Sequence, residues 1–182
     1  MTDDRRGIAA HIQSLHDREA IRDCIYRYCR GIDRVDETLL RAAYWPDATD
    51  SHGPYQGSAS GFIDWAMAKL AGAGRGVHFV GNILIELHGN VAAVETYFQA
   101  VQESTDAAGM VQHLHLWGRY ADRFEKRGGE WRVIARVVIY DAINQAESMP
   151  QTDLERFGPM RQPLGASMEQ DAMYRLLAQI RM

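Results

Sequence analysis

The sequence predicts an α+β fold: a cone-shaped, strongly curved, mostly antiparallel sheet, with three N-terminal helices covering its concave face and enclosing a pocket. Three observations carry this. Apolar residues recur at helical spacing up to residue 70. Four segments rich in β-branched and aromatic residues follow from residue 77, and short turn sequences separate them. Of the 182 residues, 46% are hydrophobic and 24% charged, which suits one domain able to bury roughly 70% of its unfolded surface. The domain is expected over residues 1–145. Residues 146–182 read as a C-terminal extension, partly helical, packed on the domain or on a neighbouring subunit.

The first helix is expected to start at Asp17, a good N-cap, with Glu19 in its first turn. Ile21, Ile25, Tyr28 and Ile32 then form an apolar stripe at spacings of 4, 3 and 4. Asp36 opens a second helix, which Pro46 is expected to stop. After a short extended piece and a turn over 47–57, Ser60 is the expected cap of a third helix carrying Phe62, Ile63, Trp65, Ala66 and Leu70. The run AGAGRG (71–76) ends it. Segments 77–87, 91–103, 111–124 and 131–143 read as strands of an antiparallel meander, broken at His88-Gly89-Asn90, at 106–109 and at 127–130. A short helical pattern returns near the end, with Met173, Leu176, Leu177 and Ile180.

The net charge of −4 and the lack of any basic run beyond a doublet argue against a nucleic-acid partner. No stretch approaches the ~18 apolar residues of a membrane span, and no signal peptide is visible, so the expected compartment is the cytoplasm. Cys24 and Cys29 would point ~140° apart on a helix, so they read as reduced core residues.

Some patterns look chemical and have plainer explanations. GSASG (57–61) misses the nucleophile-elbow spacing and reads as a helix start. His113 and His115 project from one strand face, but no third ligand accompanies them, so no metal site is expected. His52 could reach a pocket mouth. Asp33 lies at the end of an apolar helical stripe, where a carboxylate is costly unless it is paired. His78 opens a strand between Val77 and Phe79. An Asp bonded to one imidazole nitrogen fixes the tautomer and makes the other nitrogen a better base. As a plainer alternative, the two are a satisfied core pair.

The segments EAIRDCIYRYCRGIDRVD (19–36), WPDAT (45–49), VHFVGNILIEL (77–87), VAAVETYFQA (91–100) and GRYADRFEKRGGEWRV (118–133) occur in an order that resembles the SnoaL-like branch of the nuclear transport factor 2-like superfamily. That branch looks related to scytalone dehydratase, hexachlorocyclohexane dehydrochlorinase and bile-acid 7α-dehydratase. The resemblance covers roughly residues 13–145 and implies a catalytic dyad on Asp33 and His78, with Tyr28 as a pocket tyrosine. It places Arg136, Tyr140, Tyr120 and Gln99 as substrate-binding residues. Scytalone dehydratase has a tyrosine directly before its Asp, where this chain has Ile32, so a different substrate is expected.

The expected function is a cofactor-independent dehydratase or isomerase acting on a small hydrophobic cyclic, polyketide-like or steroid-like molecule, with the Asp–His dyad as general base. The alternative is a non-catalytic ligand-binding or accessory-subunit protein of the same fold. Self-association as a homodimer or homotrimer through the outer sheet face is expected in either case.

Overall fold

The computed structural model describes residues 2–74, 76–106, 109–146 and 167–180. Helix α1 spans Thr2–Asp33 and α2 spans Glu37–Arg41. Strands β1 (Tyr44–His52) and β2 (Tyr55–Ser58) precede α3 (Ala59–Leu70). Four long strands follow: β3 (Gly76–His88), β4 (Val91–Thr105), β5 (Val111–Arg127) and β6 (Glu130–Ala146). A single 3₁₀ turn (Met168–Gln170) leads into α4 (Ala172–Ile180).

The α+β class and the packing of the N-terminal helices on the sheet are observed, but the expected cone is not. The six strands lie in the order β2-β1-β6-β5-β4-β3, an open row ending at two edge strands that do not pair with each other. The sheet is mixed. β3 to β6 form an antiparallel meander, whereas β1 joins β6 in parallel. The length of the four strands predicts a sheet that twists and coils strongly. An open row with the β1–β2 hairpin added in parallel needs neither strong curvature nor closure.

Three local boundaries differ from the sequence reading. Asp17 does not cap α1, because the helix begins fifteen residues earlier. Its carboxylate instead accepts from Lys126 Nζ at 2.7 Å and from Trp131 Nε1 at 2.9 Å, pinning mid-helix to β5 and β6. Burial opposes ionisation there, but these bonds and one from Gln13 outweigh it and hold the carboxyl below its usual value. Ser58, not Ser60, caps α3, with its hydroxyl accepting from the Gly61 N–H at 3.1 Å. Pro46 lies within β1, between the register shift that separates Tyr44 from Thr49, where a missing N–H costs no ladder bond.

The core lies between α1, α3 and one sheet face. Ile21, Cys24, Ile25 and Tyr28 come from α1, Phe62 and Ile63 from α3, and Phe98, Tyr120, Phe124, Trp131 and Val133 from the strands. Along β4 the alternation is plain: Ala92, Val94, Thr96, Phe98 and Ala100 are buried, while Ala93, Tyr97 and Gln99 are exposed. Both cysteines are free and buried, and burial pushes the Cys24 thiol up to about 11 and that of Cys29 up to about 12, so neither is a nucleophile.

Candidate active site

Asp33 is the last residue of α1, and the chain turns sharply after it. The Asp36 N–H bonds the Gly31 carbonyl at 2.8 Å and the Val35 N–H bonds that of Ile32 at 3.2 Å, a Schellman ending. Its left-handed position is held by Val35 at φ 54°, a β-branched residue where glycine is usual. Asp36 then caps α2, accepting from the Leu39 N–H at 3.0 Å. A side chain at Gly31 would meet the Leu40 backbone at 2.9 Å, so α2 can fold back closely only over a glycine. The helix end is thereby fixed with the Asp33 carboxylate directed at β3.

β3 is an edge strand, so alternate backbone N–H groups have no ladder partner. Asp33 meets one of them. Its Oδ2 accepts from the His78 backbone N–H at 2.9 Å, and its Oδ1 lies 2.6 Å from His78 Nδ1. Two bonds to one residue set both the position of the strand and the rotation of the ring. The carboxylate makes Nδ1 the proton-bearing nitrogen, leaving the lone pair on Nε2. Both side chains are largely buried, at 15% and 10% exposure.

His78 lines a cavity of about 380 Å³ bounded by α1, α3 and the inner sheet face. Its walls include Ile32, Phe62, Trp65, Leu114, Leu116 and Ile143, with Tyr28, Tyr140 and His52 among the few polar groups. A volume of this size with apolar walls and few convergent polar atoms is suited to a small apolar ligand. Burial raises the Tyr28 phenol above its ordinary value, so it is an O–H donor at neutral pH.

The structure brings Asp33, His78, Tyr28 and Tyr140 to this cavity or its wall. It does not bring the other three expected substrate-binding residues there. Gln99 is exposed on the opposite face of β4 from its buried neighbours Phe98 and Ala100, of which Ala100 lines the cavity. Tyr120 is stacked on Phe98 at 4.4 Å and buried behind it. Arg136 is 1% exposed and bonded through two of its three guanidinium nitrogens to Asp122, Nε to Oδ1 at 2.7 Å and Nη2 to Oδ2 at 2.6 Å. Its guanidinium lies between the Tyr28 and Tyr120 rings, 4.0 and 4.2 Å from their centres. Burial acts against the charge of Arg136, but the Asp122 carboxylate outweighs it and keeps the group protonated.

Asp50 was missed by the sequence reading. It is 1% exposed, accepts from the Tyr44 hydroxyl at 2.6 Å, and faces His52 Nδ1 at 3.4 Å. The available signal was the spacing: residues 50 and 52 of one strand share a face. His113 and His115 alternate with the cavity-lining Leu114 and Leu116 and so project from the other face. Among the described residues no group of three or more His, Cys, Asp or Glu side chains is placed to hold a metal ion. No helix among them is long and apolar enough to cross a membrane.

A model of the SnoaL-like domain matches residues 13–137 of this chain. Among solved structures, a type 2 hexachlorocyclohexane dehydrochlorinase superposes with a TM-score of 0.69 at 18% identity, covering 76% of this chain and 95% of its own. A candidate scytalone dehydratase from Novosphingobium aromaticivorans DSM 12444 gives 0.62 at 20% identity, covering 75% and 91%. A protein of unknown function from Mycobacterium tuberculosis gives 0.60 at 24% identity, covering 71% and 74%. At these identities the likeness is one of fold. None of the curated proteins matches the chain in sequence.

Proposed function

The chain belongs to the SnoaL-like domain family, and we propose that it is a cofactor-independent dehydratase or isomerase acting on a small hydrophobic cyclic molecule. The observation that carries this reading is the 2.6 Å contact from Asp33 to Nδ1 of an imidazole that lines the apolar cavity. In the reaction, His78 Nε2 takes a proton from a substrate carbon. The C–H electron pair then becomes a new double bond. In an elimination, a hydroxyl leaves with a proton from Tyr28 or an ordered water. In an isomerisation, the proton returns to a different carbon. Asp33 holds the ring in place and stabilises the imidazolium that forms. The likeness in fold to a dehydrochlorinase and to a candidate scytalone dehydratase supports the reaction class.

The test uses the first step alone. 2-Tetralone in D₂O loses its α-protons to solvent deuterium under base catalysis, which NMR follows directly. The wild-type chain is expected to accelerate that exchange, and His78→Ala to lose the acceleration. Equal rates in both would remove His78 as the base.

The outer face carries exposed Val77, Phe79 and Tyr97, and these favour a homodimer or homotrimer formed through the sheet. A monomer mass by light scattering at micromolar concentration would exclude it.

A further inference from the structure

We infer that His52, held by the buried Asp50, is an acceptor for a ligand hydroxyl, so that the cavity selects small cyclic molecules bearing an O–H group at a position remote from the carbon facing His78. The inference deepens the proposed function and rests on it.

The cavity is lined by two histidines, each next to an aspartate, on strands that three others separate. The Asp33–His78 pair is closed by a short contact. The Asp50–His52 pair stands at 3.4 Å, within ion-pair reach but long for a hydrogen bond, and both facing atoms are buried without another partner. Such contacts are often long until a ligand seats. Asp50 is fixed independently through Tyr44, so its carboxylate is a stable reference for the ring. The ring plane is set as well: it stacks on Phe62 at 4.5 Å and 19°, and meets Tyr140 edge-on at 6.3 Å. With Nδ1 turned to the carboxylate, Nε2 is the nitrogen with a lone pair to offer. The surrounding wall is largely apolar (Phe62, Trp65, Pro54), and beside the Tyr140 hydroxyl His52 is the acceptor there that an aspartate orients.

Three probes of one shape distinguish the chemistry: 2-naphthol donates a hydrogen bond, 2-methoxynaphthalene only accepts, and naphthalene does neither. Fluorescence titration of the wild-type chain at neutral pH is expected to show 2-naphthol binding about 3–10-fold tighter than the other two, the range of one neutral hydrogen bond. His52→Leu should bind all three alike, and His52→Gln, which keeps an acceptor, should recover part of the preference. Circular dichroism of each variant checks that it is folded. A preference that survives His52→Leu overturns the assignment, and its loss in His78→Leu would then put the hydroxyl at the other histidine. Equal binding of all three probes by the wild type overturns the His52 role while leaving an apolar-ligand site intact. No binding of any probe removes the ligand site and this inference together.

Discussion

The Asp122–Arg136 and Asp33–His78 pairs of the interior differ in what each leaves over once it has formed. Asp122 and Arg136 are both fully buried, joined by two parallel hydrogen bonds, and the guanidinium is covered by tyrosine rings on two sides. Asp33 and His78 are also joined closely, but the imidazole has a second nitrogen and a cavity beside it. The first pair turns its two matched bonds to holding β5 to β6, and the nitrogen it leaves over, Arg136 Nη1, is buried. The second keeps a basic atom available. Strength of pairing therefore does not mark a reactive group; an unused atom next to accessible space does.

Variants should separate the two pairs by what they damage. The largest effect is expected on rate: His78→Ala should lower 2-tetralone exchange by about 10²–10⁴-fold, the usual range for a positioned base, while the melting temperature falls less than in Arg136→Met because Asp33 keeps the backbone N–H of residue 78. Asp33→Asn should lower it as well, since the amide can present the wrong tautomer to Nδ1. Arg136→Met should act on stability, costing about 3–5 kcal/mol in urea unfolding because Asp122 is left buried and unpaired. The double variant Asp122→Leu with Arg136→Met should recover much of that loss. A rate defect in Arg136→Met as large as that of His78→Ala would erase the distinction.

Smaller effects sharpen the picture of how the reactive pair is positioned. Val35→Asn should raise stability by up to about 1 kcal/mol, because asparagine tolerates the left-handed conformation that strains valine. Thermal melts of the two chains would show it. Asp17, far from the cavity, gives the weakest signal. Its folded-state carboxyl lies below its ordinary value, so its contribution is complete above about pH 4. It is lost as the pH falls through the lower folded value. Asp17→Asn should therefore melt lower than the wild type at neutral pH, and the two melting temperatures should converge as the pH falls from about 4 to about 2.

Much of the architecture was legible because it follows local periods. The meander of β3 to β6 is written in alternating residues and Gly-containing turns, and the α1 stripe in 3–4 spacings. The parallel β1–β6 pairing was not legible, since it joins segments about ninety residues apart with no shared local pattern. Asp17 has the chemistry of a cap and was read as one, although its tertiary bonds to Lys126 and Trp131 explain it. For the candidate site, Asp33, His78 and Tyr28 could be named from the order of segments. The placement of Arg136 could not, because only coordinates reveal that Asp122 already occupies it. His52 was noticed as a lone histidine; reading it together with Asp50 required attention to the face they share.

The double grip of Asp33 on His78 also has a bearing on how copies of this chain meet. An edge strand with bare amides invites a stray strand to add itself there and seed aggregation. At His78 that invitation is withdrawn, since the amide is already occupied by a carboxylate carried in from α1. Removing that acceptor altogether, as in Asp33→Ala, would thus do more than idle a base: it would uncap part of the sheet's border, and clumping on storage would follow, whereas Asp33→Asn keeps an oxygen for the amide.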